Sequence, residues 1–117
     1  MACRDILSIA DKCLQLMPED AANRAAVSRA YYAAFSQASD YCGSSPRPER
    51  SHDEVIGKVR SLPFEEAFER AQDLATLKKL RVKADYRRSE SISRQNAERA
   101  VGDADILIQW FERLPPP

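Results

Sequence analysis

Apolar residues recur at intervals of three and four along most of the chain, and the residues that would interrupt a helix fall between those stretches. Only three glycines occur. Ile6, Ile9, Ala10, Cys13, Leu14 and Met17 make one helical face; Pro18 stops it, and Asp20 is placed to cap a second helix. Val27, Tyr31, Ala34, Phe35, Ala38, Tyr41 and Cys42 form the stripe of that helix, which ends at Gly43, the expected left-handed position. It spans about 22 residues, or roughly 33 Å. Its many alanines favour helix and permit close approach of a neighbour. Residues 43 to 50 read as a loop, and Ser51 with Glu54 has capping-box spacing, so a short helix is expected from His52 to about Arg60. Pro63 fits the first turn of a fourth helix, with Phe64, Ala67, Phe68, Ala71, Leu74, Leu77 and Ala84 on its inner face. Periodicity lapses after Arg87-Arg88-Ser89. Ser93 then caps a last helix, with Ile92 and Ala97 as a hydrophobic staple and Ala97, Val101, Ala104, Ile108 and Phe111 facing the core. No strand pattern and no internal repeat are visible. The expected fold is all-α, an up-and-down bundle of four long helices plus one short helix. It forms one domain over residues 1–117, with a loop at 43–51 and a tail at 115–117.

At 117 residues, the chain has the size of one domain that buries a core without staples. Its 18 Lys and Arg balance 18 Asp and Glu, which excludes a nucleic-acid binder held by bulk charge. The longest unbroken apolar run, Ala30 to Phe35, is far short of the roughly 18 residues that span a bilayer. Arg4 and Asp5 stand where a signal peptide needs apolar residues. Cys3, Cys13 and Cys42 are odd in number and lack CxxC spacing, arguing against a disulfide framework or zinc site. The expectation is a reduced, cytoplasmic protein with no membrane contact, no metal and no cofactor.

Three places carry residues able to do chemistry. His52 is the only histidine and the only side chain of ordinary pKa near neutrality, although it begins a helix and has no second imidazole for a metal. Ser28, Tyr32 and Ser36 fall at i, i+4, i+8 beside Arg29. This strip reads either as a boundary between core and solvent or as a groove where Arg29 meets phosphate and Tyr32 offers a ring. Lys78 to Arg88 holds six cations and one acid. Most of these suit a solvated helix end, but Arg81 lies on the apolar stripe and needs an anion. Asp85, one turn on, is the nearest acid, giving either a structural pair or a ligand-facing arginine. Neither a glycine-rich phosphate loop nor a hydrolase nucleophile elbow is present.

At these same residues the chain resembles the HEPN family (higher eukaryotes and prokaryotes nucleotide-binding domains), in its small stand-alone prokaryotic branch. Ser28-Arg29-Ala30-Tyr31-Tyr32-Ala33-Ala34-Phe35 is similar to that branch's second-helix signature. Leu80-Arg81 followed by Ala84-Asp85-Tyr86 is similar to the signature ending its fourth stretch, and Ala97 to Phe111 to its closing helix. The resemblance covers roughly residues 20 to 114. It implies a helical bundle that pairs as a homodimer, often encoded beside a nucleotidyltransferase partner, in toxin–antitoxin or defence-type systems. Many such relatives cleave RNA, while others bind nucleotides or act as assembly modules.

Catalytic relatives carry Arg, four to six residues, then His. Here Arg81 is followed by Tyr86, Arg87 and Arg88 at the matching positions. Metal-independent RNA cleavage needs a base for the 2′-hydroxyl and an acid for the leaving oxygen, and neither Arg nor an ordinary Tyr serves near neutral pH. The resemblance therefore implies a module that binds a nucleotide, RNA or protein partner, with Arg29, Tyr32, Arg81 and Asp85 as binding residues. A ribonuclease would need Arg81 with His52 or Tyr86 moving protons. A third reading is a purely structural pairing subunit. Net neutrality excludes bulk electrostatic binding, but not a local arginine site for one phosphate.

Overall fold

The computed structural model describes residues 2–16, 19–43 and 50–117, and among them every regular element is a helix. The elements are α1 (Cys3–Leu16), α2 (Glu19–Cys42), α3 (Arg50–Arg60), α4 (Ala67–Tyr86) and α5 (Arg94–Arg113). Four of them run 14 to 24 residues, and α3 has 11.

The alanine-rich α2 is central and packs against all four other helices. Ala22, Ala26, Ala30, Ala33, Ala34 and Ala38 are each at most 1% exposed, so the helix is buried on several faces rather than along one stripe. Methyl side chains let neighbouring backbones come near from several directions, and a larger residue at such a position would overpack at a cost of about 1–3 kcal/mol. Tyr31 and Val27 fill the space between α2 and its neighbours, together with Leu74 and Leu77 of α4 and Leu107 and Ile108 of α5. Gly43 comes directly after α2 with φ 67°, the left-handed position expected of it.

Several boundaries differ from the expected ones, each for a local reason. Helix α2 begins at Glu19, so Asp20 lies inside the first turn and pairs with Arg24 Nε at 3.0 Å instead of capping. Helix α3 starts at Arg50, which puts His52 two residues into the helix rather than at its first position. Helix α4 starts at Ala67, not near Pro63: Glu66 takes a left-handed φ of 70° and separates the Pro63-Phe64 turn from the helix. Phe64 still packs on the core from that turn, whereas Phe68 is 61% exposed instead of facing inward. Ile9 is likewise exposed, while Leu7, Ala10 and Leu14 make the buried face of α1. Met17, Pro18 and the loop over 44–49 lie outside the described residues, as does the Ser51 side chain.

The last helix follows the pattern closely. Ser93 has extended backbone and its Oγ accepts from the Asn96 N–H at 3.0 Å. The staple residues Ile92 and Ala97 are both buried, and Tyr41 lies 5.6 Å from Phe111, centroid to centroid. The α1 end is clasped to α5 by Arg4, whose Nη2 sits 2.7 Å from Glu112, an exposed pair of small energetic value.

Candidate functional site

Arg81 is held where α4 crosses α2. Its Nη2 donates to the Tyr32 hydroxyl at 2.6 Å, and its Nε lies 2.9 Å from Asp85 Oδ2 without the alignment of a hydrogen bond. Ser28 donates its hydroxyl to the same Asp85 oxygen at 3.4 Å, which ties the strip on α2 to the end of α4. An Arg before an Asp at i, i+4 is the less favourable order on an isolated helix. Here the second helix supplies the extra donor that anchors the carboxylate. Three rings surround the guanidinium carbon: Tyr32 at 5.2 Å, Tyr86 at 5.5 Å and Tyr31 at 5.9 Å, within reach of cation–π attraction. The Arg81 side chain is only 14% exposed. Burial opposes its charge, but Tyr32, Asp85 and Tyr86 outweigh that and hold its pKa above the usual value. Among the described residues Nη1 has no acceptor, so one edge of the fork remains for an oxygen.

His52 reaches the same aromatic group from α3. Its Nδ1 lies 2.5 Å from the Tyr31 hydroxyl, and its ring stacks on Phe35 at 4.2 Å with a 19° interplanar angle. Tyr31 is fully buried, and desolvation pushes its phenol well above the ordinary tyrosine range, so the hydroxyl stays protonated. It donates to Nδ1 when that nitrogen is unprotonated and accepts from it when Nδ1 carries the proton. Tyr31 therefore stands between Arg81 and His52, touching both.

The structure thus brings Tyr32, Arg81, Asp85 and Tyr86 into one cluster and sets His52 behind Tyr31 at its edge. Arg29 does not join: its side chain is exposed, and among the described residues it bonds to none of these groups. Tyr86 offers an exposed ring, 67% accessible.

Two residues that the sequence pattern does not single out tie α2 to the end of α4 and to the start of α5. Arg24 of α2 spreads its guanidinium over the end of α4: Nη1 donates to the carbonyls of Lys83 at 3.3 Å and Ala84 at 2.9 Å, and Nη2 to those of Arg88 and Glu90. It gives donors to carbonyls of the last turn of α4 and of the segment after it, close to Asp85 and Tyr86; Lys83 O also accepts from the Arg87 N–H at 3.1 Å. Asn23, 2% exposed, donates from Nδ2 to Ile92 O at 2.9 Å and fixes the approach to α5. The only signal in the sequence is that Asn23 and Arg24 are polar residues in an alanine-rich helix.

Among the described residues there is no group of three or more His, Cys, Asp or Glu side chains able to hold a metal ion, and no helix long and apolar enough to cross a membrane. Cys3, Cys13 and Cys42 are free thiols. The chain matches no family model, no curated protein sequence and no solved structure.

Proposed function

We propose that this chain is a HEPN-like, up-and-down helical module that pairs as a homodimer and binds a phosphate-bearing ligand, a nucleotide or RNA, at the Arg81 cluster. The observation that carries this reading is the state of Arg81: a nearly buried cation aligned by Asp85 and Tyr32, ringed by three tyrosines, its Nη1 without an acceptor among the described residues. A guanidinium already oriented loses little entropy on meeting an anionic oxygen, and the exposed Tyr86 ring offers a stacking surface for a base. The setting that fits is a toxin–antitoxin or defence-type system, with a nucleotidyltransferase as protein partner. Calorimetry with nucleoside mono-, di- and triphosphates and short single-stranded RNAs tests it. Binding that vanishes in a folded Arg81→Ala protein is expected; no heat from any of these ligands refutes the reading. Light scattering tests the pairing, and a monomer at micromolar concentration would refute that part.

A second reading, endoribonuclease activity, is favoured by the contact between Tyr31 and His52. It gives an imidazole and an arginine contact with one phenol, although the histidine belongs to α3 and not to the residues following Arg81. In this reading Arg81 stabilises negative charge on the phosphate and His52 transfers protons. RNA cleavage lost in both Arg81→Ala and His52→Ala supports it, and purified protein inert toward total RNA rejects it.

A further inference from the structure

On a different side of α4 from Arg81, a groove of about 750 Å³ runs between α3 and α4. Helix α3 contributes Ile56, Gly57 and Arg60, while α4 contributes Ala75, Lys79, Val82 and Lys83. These positions recur at three and four along each helix, so the two faces form parallel ridges with a channel between them. The floor is aliphatic, made by Ile56, Ala75 and Val82. At Gly57 a side chain would meet no atom within 4 Å, which leaves the channel open there.

The rim is cationic, and its charges are unevenly compensated. Lys78 is neutralised by Asp53 at 2.8 Å, a contact that also holds the Asp53 carboxyl below the usual carboxylate range. Arg87 has only a long 3.8 Å contact with Glu90, and the Arg60 guanidinium lies over the Phe68 ring at 5.5 Å, which leaves its charge intact. Lys79 and Lys83, one turn apart, meet no acid among the described residues. From Lys79 to Arg87 the cations extend over about 12 Å of helix rather than converging on a point.

The geometry points to this groove as the docking site for an acidic amphipathic helix of a partner protein, its apolar stripe on the aliphatic floor and its Glu or Asp residues along Lys79, Lys83 and Arg60. Spacing decides against a single phosphate, because the cations form a row. Floor chemistry decides against a nucleic-acid strand. Bases bind by stacking on rings, and no aromatic residue among those described lines the groove; the exposed Phe68 and Tyr86 lie outside it. An aliphatic channel with charged edges is the surface that an amphipathic helix recognises through anchors at i, i+3, i+4 and i+7. This inference does not depend on the Arg81 cluster.

The probe is a fluorescent synthetic helix of about four turns, with leucines at i, i+3, i+4, i+7 and glutamates flanking them, followed by anisotropy against the whole chain. Gly57→Leu places a bulky side chain in the channel from a Cβ position that is open to 4 Å, and Lys79→Glu with Lys83→Glu reverses the rim. Each is expected to weaken binding by roughly tenfold or more, while Arg81→Ala leaves it unchanged and the same helix with lysines for glutamates does not bind. Circular dichroism confirms that each variant is folded, and amide shifts on titration are expected at Ile56 and Val82. Absence of binding up to millimolar protein overturns the proposal, as does equal binding to the Gly57→Leu protein. So does a single-stranded RNA of similar length that binds this groove more tightly than the peptide. Loss of peptide binding in Arg81→Ala would also overturn it, by assigning the contact to the other site.

Discussion

Arg24→Ala should damage this protein more than any other exchange of a charged residue on α2. The side chain is 15% exposed and spans several carbonyls of the turn that closes α4, among them Lys83, Ala84 and Arg88. A hydrogen bond from a charged donor contributes about 1.5–3 kcal/mol where water cannot substitute. Only the bonds to Lys83 and Ala84 are partly buried; those to the succeeding turn are exposed and count for much less. The expected loss is therefore about 2–4 kcal/mol. For a chain of 117 residues, that corresponds to a fall in Tm of roughly 8–16 °C, at about 4 °C per kcal/mol. Calorimetry at neutral pH measures the shift, and hydrogen exchange should show the last turn of α4 losing protection first. Arg24→Lys should recover less than half of the loss, because one ammonium cannot reach both sets of carbonyls. A Tm within about 2 °C of the parent protein would refute the idea that this guanidinium caps the helix.

The geometry sets three further outcomes. Tyr31 is protonated in both folded and unfolded chains below about pH 10; above that the unfolded phenol ionises while burial keeps the folded one neutral. Its contribution to stability is thus full below that pH and falls as pH rises, by up to about 1.4 kcal/mol per pH unit. Denaturation midpoints of Tyr31→Phe should lack that alkaline decline, and parallel curves for the two proteins would contradict it. Ser93→Ala should cost about 0.5–2 kcal/mol in urea unfolding, whereas Ser93→Gly should cost only a few tenths. Gly57→Ala should stabilise by about 0.5–1 kcal/mol, since the helix gains propensity and the new methyl meets nothing within 4 Å; destabilisation would show that the channel is closed in solution.

Local chemistry was legible wherever one helix carried the whole signal. Ser93 and Gly43 mark their helix ends because capping and left-handed backbone involve only neighbours in the chain. The stripe on α5 is readable because that helix buries one face. Phe68 and Ile9 read as inward because periodicity gives the direction of a stripe only to within a residue or so, and the neighbouring helices decide which edge they cover. Phe68 also comes just after Glu66, whose left-handed backbone leaves no trace in the apolar pattern.

The candidate site divides along the same line. From residue spacing alone, Arg81 stands out as a cation on an apolar stripe, and Asp85 as its nearest acid, since both lie on one helix with known periodicity. That Tyr32 and Ser28 would meet them depends on the crossing of α2 and α4, at separations of 49 and 57 residues in the chain. The same holds for His52 beside Tyr31, for Arg24 over the end of α4, and for the exclusion of Arg29. The sequence by itself determined a helical pattern, the order of the helices among the described residues and an arginine, Arg81, that calls for a partner. Which helices touch, and in what register, only the tertiary structure decided. Helix formation rests on contacts within a turn, whereas helix packing rests on the joint fit of several surfaces that no single stretch of residues contains.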